Sequence, residues 1–234
     1  MTASSGVNCL SDIEYRASVR PRVTINCAMS ADGKIGFVNR RQAKISGEED
    51  LQRVHRLRAS SDAILVGIGT VLADDPKLTV KPEYTKGRNP IRVVLDSRGR
   101  TPRSAHVLDG KAPSIIFTNL RCVKTFRNAE AIRCGDDRVS LTGALSVLSD
   151  KGVRKLLVEG GEEVIWSFLN EGLADDLRIF VGSLILGGKG GPTPAGGPGV
   201  TSIEDAIPLK LARARRLGGG VLLEYSGPAK KGRR

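Results

Sequence analysis

Three short stretches of this chain carry residues whose types and spacing could do chemistry. In VGIGTVLADDP, Gly67 and Gly69 follow the apolar run AILV, and Thr70, Asp74 and Asp75 precede Pro76. Glycine has no Cβ, so a turn of this kind lets backbone approach a ligand closely. A dinucleotide fingerprint needs a third glycine at position 72, and Leu72 stands there instead, so the stretch fails that test. It is an ordinary tight turn or another way of holding a cofactor. Pro76 argues against a long helix, which puts Thr70 and Asp74 on a short turn or loop. There Asp74 either accepts hydrogen bonds from a ligand or, with Asp75, caps local N–H groups.

The second stretch, LDSRG, follows an apolar run. The Ser97 hydroxyl, the Arg98 guanidinium and the backbone beside Asp96 suit a phosphate monoester such as the 2′-phosphate of NADP. A plain type I turn has the same composition. The third, VEGGEE, links an apolar run to a helical pattern through Gly160 and Gly161, with Glu162 after them. Free N–H groups at a helix start hold anions, typically a pyrophosphate. Glu159 stands where a strand-end carboxylate binds a polyol, manages a proton, or is merely solvated. A later loop, GGKGGPTPAGGPG, reads as a flexible lid or a disordered surface segment, with Lys189 within reach of phosphate.

Other chemistries are poorly served. There are two histidines, His55 and His106, and neither the H-x-E nor the P-C-x-x-C signature of a zinc deaminase. His55 falls in a helical pattern and reads as structural. No G-x-S-x-G elbow is present. Cys9, Cys27, Cys122 and Cys134 are too scattered for a metal knuckle or a disulfide framework, which suits a reduced, cytoplasmic protein without a metal. No apolar run is long enough to span a membrane. The net charge of +12 suits a solvated basic surface, anionic small ligands or nucleic acid.

The elements that must position these residues alternate. RVTINCAMS (22–30) alternates as a strand and ends at the turn signal Asp32-Gly33. Ser46 and Glu49 form a capping-box pattern ahead of a helix with Leu51, Val54 and Leu57 on its apolar face. DAILVG (62–67), IRVVLD (91–96), SIIFT (114–118) and KLLVEGG (155–161) read as buried strands. TGALSVLSDKG and EEVIWSFLNEG read as helices stopped by Gly152 and Gly172. LRIFVGSLIL (177–186) reads as one long strand, and GGVLLEY as another. These elements predict one α/β domain with a mostly parallel sheet flanked by helices and antiparallel strands near the C-terminus. Its ligands would lie beyond the carboxyl ends of the strands. Residues 1–21 read as a loosely ordered extension with a short helix near Ser11–Ala17, 22–226 as the domain, and 227–234 as a basic tail.

In their order and spacing, NCAMSADGKIG, VGIGTVLADDPKLTV, NPIRVVLDSRGRTP, LLVEGGEEVIWSFLNEGLAD and LILGGKGGPTP resemble the reductase domain of riboflavin biosynthesis. The likeness runs from about Arg22 to Tyr225. It implies a dihydrofolate-reductase-like fold and, without deaminase motifs, the stand-alone type found in archaea, with a related one in fungi. The implied reaction reduces the ribosylamino group of 2,5-diamino-6-ribosylamino-4(3H)-pyrimidinone 5′-phosphate to a ribitylamino group. NADPH is the implied cofactor, with NADH as a possibility, and a homodimer the implied assembly. By resemblance Ala28, Ser46, Gly67, Thr70, Asp74, Asp96, Ser97, Arg98, Gly160, Gly161 and Glu162 match positions around the cofactor. Arg58, Asp74, Leu78, Lys81 and Glu159 match positions near the phosphorylated pyrimidine, with Asp74 and Glu159 the catalytic candidates. Lys44 stands where many bacterial members have Trp, and Lys81 where they have Arg. Lysine is the poorer bidentate partner for phosphate.

Two other readings start from the same residues. A pterin reductase of the same fold would have no use for Arg58 and Lys81 at a sugar phosphate. A nucleic-acid-binding protein draws on the charge and the tail. Against it, aromatic residues make up only 4% of the chain and no recognised binding motif is present. Nucleic acid and membrane are therefore not expected partners.

Overall fold

The structure is a computed structural model, and residues 20–227 are described. The N-terminal extension, with its expected short helix, and the KKGRR tail lie outside the described residues.

Nine strands form one sheet in the order β5-β4-β3-β2-β6-β1-β7-β9-β8. The six on the parallel side are β1 (Arg22–Ser30), β2 (Ala63–Gly67), β3 (Ile91–Leu95), β4 (Ser114–Thr118), β5 (Glu130–Arg133) and β6 (Lys155–Val158). β7 (Asp176–Gly182) runs parallel to β1. β8 (Lys210–Leu217) and β9 (Gly220–Ser226) close the sheet as an antiparallel hairpin. This is the mostly parallel α/β sheet with antiparallel C-terminal strands that the sequence predicts. β2 and β4 are buried at every position, as expected of strands covered on both faces.

Among the described residues, four α-helices flank the sheet: α1 (Glu48–Ala59), α2 (Ile68–Asp74), α3 (Leu141–Asp150) and α4 (Glu162–Asn170). On one face, α3 and α4 bury Leu145, Leu148, Ile165 and Phe168 against Val23, Ile25, Leu65 and Val93. On the other, Val71 of α2 and Leu78 pack on Ile64, Val66 and Val94. Full burial of side chains this size contributes about 1.5–3 kcal/mol each.

Several local expectations need correcting. Thr70 and Asp74 lie on the seven-residue helix α2, not on a turn or loop. The helix ends where Asp75 takes a left-handed conformation (φ 41°), and Pro76 follows. Ser46 does not cap α1. Gly47 is the cap residue, and the Ser46 hydroxyl donates to the Asp50 carboxylate at 2.5 Å. The buried residues of α1 are Asp50 and His55, while Leu51 is 36% exposed. Polar partners beneath the helix outweigh its apolar pattern. The long strand expected at 177–186 ends at Gly182, where an added Cβ would lie 2.7 Å from Ile45. Beyond it the Asp32 carboxylate accepts from the N–H groups of Leu186 and Gly187 at 3.1 and 2.7 Å. The glycine-rich loop that follows is seated on α4. Gly196 donates to the Glu162 carbonyl at 3.1 Å, and Gly197 packs so tightly on Trp166 that a Cβ would meet the ring at 2.4 Å.

Candidate functional site

The carboxyl ends of β2, β3 and β6 stop at one level. Gly67 pairs with Leu95 in the β2–β3 ladder. The β2–β6 ladder continues past the strands, with Glu159 N–H donating to Leu65 O at 3.0 Å and Gly67 N–H to Gly160 O at 3.1 Å. This brings the three glycine- or serine-bearing turns side by side. They border a cleft of about 760 Å³, within the usual size of a small-molecule or cofactor site.

The floor is built from close approaches. A Cβ on Gly67 would meet Val164 Cγ2 at 2.7 Å, and one on Gly161 would meet Thr70 Oγ1 at 3.2 Å. Glycine at both places lets α2 and α4 start against each other. The Gly160–Gly161 peptide is cis. Thr70, Ala73 and Asp74 line the cleft from α2, Thr70 and Asp74 being one helical turn apart on the same face. Opposite them, residues 36–42 form a small flap closed by a Gly36–Gln42 bridge. The flap is tied at both sides. Gln42 N–H donates to Asp74 Oδ1 at 3.2 Å, and Arg40 Nη1 to Glu162 Oε1 at 2.8 Å.

Burial perturbs two carboxylates that line the cleft, Asp74 and Glu171, and Asp74 is the one beside the glycine turns. Burial raises its pKa above the ordinary value, and the Gln42 N–H opposes the shift only partly. A carboxyl group that holds its proton more readily than usual can anchor a ligand or deliver a proton.

Of the sequence candidates, Gly67, Thr70, Asp74, Ser97, Arg98, Gly161 and Glu162 line this cleft, with Gly160 directly before Gly161. Glu162 is already bonded to Arg40 and to Thr193 N–H. The others lie elsewhere. Asp96 is fully buried and accepts from Arg100 N–H, Thr101 N–H and Thr101 Oγ1 at 2.7–2.8 Å. It shapes the turn rather than facing a ligand. Ala28 packs beside Phe180 and Leu222, and Ser46 is bonded to Asp50.

Arg58, Leu78, Lys81 and Glu159 form a second group under α1. Arg58 and Glu159 make a bidentate ion pair with Nε–Oε1 at 2.9 Å and Nη2–Oε2 at 2.6 Å. Arg58 Nη1 also donates to Thr79 O at 3.1 Å. Burial works against the charge on Arg58, but the Glu159 carboxylate outweighs it and raises the guanidinium pKa. Sequence reasoning treated the two as separate ligand contacts, 101 residues apart in the chain. Leu78 is buried with φ 50°. Lys81 is half exposed, 3.4 Å from Glu83, with its ammonium over the Tyr84 ring.

His55 ties this group together. Its Nδ1 accepts from Lys81 N–H at 3.2 Å, and its ring stacks on Tyr84 at 4.8 Å. Burial, reinforced by the Arg58 charge, lowers its pKa from 6.5 to about 4. The unfolded chain therefore takes up this proton near pH 6.5, while the native state refuses it until about pH 4. Stability from His55 is complete above pH 6.5 and is lost as pH falls toward 4, by on the order of 2 kcal/mol. Urea unfolding at pH 7 and pH 4.5 measures it: in His55→Gln the loss between the two pH values should shrink by about that amount. Equal losses in both proteins would remove His55 as the cause.

Sequence reasoning missed the flap residues Arg40, Arg41 and Gln42, and also Arg100 and Arg138, which line the same cleft. Arg100 lies two residues after Arg98, so an alternating outward pattern in the DSRGR turn could have found it. Arg138 follows β5, and no local pattern links it to the β3 turn.

The geometry defines an α/β protein with a nucleotide-sized crevice at its strand ends, bordered by glycine turns and basic side chains. The model of the RibD C-terminal domain matches residues 21–223, and the chain belongs to that family. It is 42% identical to the 2,5-diamino-6-ribosylamino-4(3H)-pyrimidinone 5′-phosphate reductase of Methanothermobacter thermautotrophicus, over 89% of this chain and 99% of that one. The Archaeoglobus fulgidus protein of the same name is 45% identical over 76% and 88% of the two chains. Among solved structures, the Thermotoga maritima diaminohydroxyphosphoribosylaminopyrimidine deaminase/5-amino-6-(5-phosphoribosylamino)uracil reductase superposes with a TM-score of 0.78 at 29% identity. The match covers 89% of this chain and 57% of that one. The dihydrofolate-reductase-like fold implied by the sequence is thus the fold of its structural neighbours.

Proposed function

We propose that the protein reduces the ribosylamino group of 2,5-diamino-6-ribosylamino-4(3H)-pyrimidinone 5′-phosphate to a ribitylamino group, in riboflavin biosynthesis, with NADPH as cofactor and NADH as a weaker substitute. The observation that carries this reading is the cleft in which the Asp74 carboxyl group faces the glycine turns of β2 and β6. The names of the archaeal relatives support the substrate. The donor set suits a nicotinamide dinucleotide: a glycine floor that admits backbone contact, and basic groups at one end.

A nicotinamide cofactor held over this floor would supply the hydride for the reduction. The chain's own residues position and protonate. Gly67, Thr70 and Gly161 shape the floor, and Asp74 at the flap side donates the proton that completes the amine or anchors the sugar. Arg58, held by Glu159 and Thr79 O, offers its remaining N–H groups to the 5′-phosphate, with Lys81 beside it. Exclusion of water and fixed contact distances give most of the acceleration in such a transfer.

The test is oxidation of NADPH by purified protein with the ribosylaminopyrimidinone phosphate, beside NADH and dihydrofolate controls. Turnover only with the phosphorylated substrate is expected. Turnover with dihydrofolate alone would make the protein a pterin reductase, and no turnover by folded protein would refute the reading.

We also propose a homodimer. Leu211 and Val221 stand 53% and 41% exposed on the sheet face that carries Ile179, Leu223 and Tyr225. A second copy would bury this face. Light scattering should give twice the 25.0 kDa chain mass, and Leu211→Glu with Val221→Glu should give the monomer. A monomeric unmodified protein would exclude the dimer. Cys27 and Cys122 are free thiols, which fits the cytoplasmic placement we favour.

A further inference from the structure

His55 is one of the two side chains that α1 buries, and it is 4% exposed. Neither the hydride nor the proton transfer involves it. Its direct partners belong to one segment, residues 79–84, which lies against α1 as a strap. His55 Nδ1 accepts from Lys81 N–H, and the imidazole stacks on the Tyr84 ring with an interplanar angle of 16°. Other side chains of α1 hold the same strap. Arg58 Nη1 donates to Thr79 O at 3.1 Å, and the Tyr84 hydroxyl donates to Glu48 Oε2 at 3.4 Å.

A ring nitrogen that accepts from a backbone N–H carries no proton of its own. Nδ1 is therefore bare, and the neutral ring keeps its proton on Nε2. The charged groups around His55 are Arg58 on its own helix, Glu159 at the end of β6, and Lys81 and Glu83 on the strap. Burial, with the Arg58 charge, keeps the ring neutral down to about pH 4. The bond to Lys81 thus persists throughout the neutral range.

Lys81 is held on both sides of its Cα. Its N–H is bound by His55, and its carbonyl accepts from Tyr84 N–H and Thr85 N–H at 3.0 and 3.3 Å. Its ammonium reaches back over the Tyr84 ring. Arg58 follows His55 by three residues, on the same side of α1. A lysine is a flexible point charge, and fixing the backbone beneath it removes part of the cost of ordering it on an anion. Resting on the reductase reading above, we propose that His55 is a positioning residue for the substrate's phosphate: it holds the Lys81 backbone so that the Lys81 ammonium and the Arg58 guanidinium meet the same phosphate.

The test compares the pyrimidine phosphate with its dephosphorylated form. The readout is the ratio of their kcat/KM values, which does not depend on the fraction of protein folded. The unmodified protein should favour the phosphorylated form by about tenfold or more. His55→Leu removes the acceptor and should lower the ratio about tenfold, through KM rather than kcat. His55→Asn places an oxygen where Nδ1 stood and should keep the ratio within about threefold of the original. In a Lys81→Ala background, His55→Leu should change the ratio no further, because its effect runs through Lys81. A second measurement needs no turnover. Ribose 5-phosphate, titrated calorimetrically beside ribose, should bind about tenfold more weakly to His55→Leu. Equal losses for both forms of the pyrimidine in His55→Leu, or an undiminished effect in the Lys81→Ala background, would reduce His55 to packing and overturn the proposal. Equal turnover of the two forms by the unmodified protein would also overturn it and leave the reductase reading standing. Weakened binding of ribose 5-phosphate in His55→Leu, without turnover of either pyrimidine by the unmodified protein, would uphold the role of His55 and refute that reading.

Discussion

Asp74→Ala should lower kcat/KM for the pyrimidine phosphate by about 100-fold or more, the usual contribution of a positioned acid. Burial raises the carboxyl pKa of Asp74, as it does that of Glu171 in the same cleft, and Asp74 lines the cleft with Thr70 and the glycine turns. Its two candidate roles separate in the isosteric variant. Asp74→Asn can still accept from Gln42 N–H but has no proton to give. If Asn is as impaired as Ala in kcat, the carboxyl acts as an acid. If Asn retains most of kcat and Ala raises KM, the side chain is a hydrogen-bonding anchor. Full activity in both variants would take Asp74 out of the site. The pH profile adds an independent reading. An acid with a raised pKa should give activity that falls as pH rises through that pKa, and the fall should vanish in Asp74→Asn.

The parts of this fold legible in the sequence are those where local pattern and global packing agree. DAILVG and SIIFT are continuous apolar runs because β2 and β4 are covered on both faces. Gly160 and Gly161 are readable as a close-approach turn because Gly160 takes a φ of 134° and a Cβ on Gly161 would stand 3.2 Å from Thr70 Oγ1. Where the two levels conflict, the sequence misleads. β8 went unseen because KLARARRL carries charge and apolar side chains without a clear alternation, with a register shift between Leu211 and Arg213. It is an edge strand exposed along most of its length, so no buried face imposes a period on it. α1 shows the opposite error. Its apolar positions suggested one face, but Asp50 and His55 are the residues turned inward. Their partners, Ser46, Arg53 and the Lys81 N–H, become visible only once the chain is folded.

The candidate site divides in the same way. Residues within a turn motif, such as Gly67, Thr70, Ser97 and Gly161, could be named because the motif is local and faces the cleft. Asp96 belongs to the same motif, yet its carboxylate points inward to Thr101. Motif membership does not fix side-chain direction. Arg138 needs the β3–β4–β5 pairings to bring its loop beside Ser97. No short pattern encodes that.

The pairing of Arg58 with Glu159 predicts a large stability effect. The pair is mostly buried, with side-chain exposures of 19% and 9%, and joins α1 to the end of β6. Removing one partner leaves a charge under α1 without its counter-ion, which typically costs about 3–5 kcal/mol. For a chain of this length that is roughly a 10 °C drop in Tm. Glu159→Leu and Arg58→Met should each show it. The double variant removes both charges and should regain most of the loss, because the pair itself contributes little net stability against an apolar replacement. Activity separates structure from function. If Arg58 serves only to hold Glu159 and Thr79 O, the double variant should regain turnover with its stability. If Arg58 also meets the 5′-phosphate, the double variant should be stable and yet need a much higher substrate concentration, with KM raised about tenfold or more for a lost charged contact. Single variants with unchanged Tm would show that the ion pair does not hold α1 to the sheet.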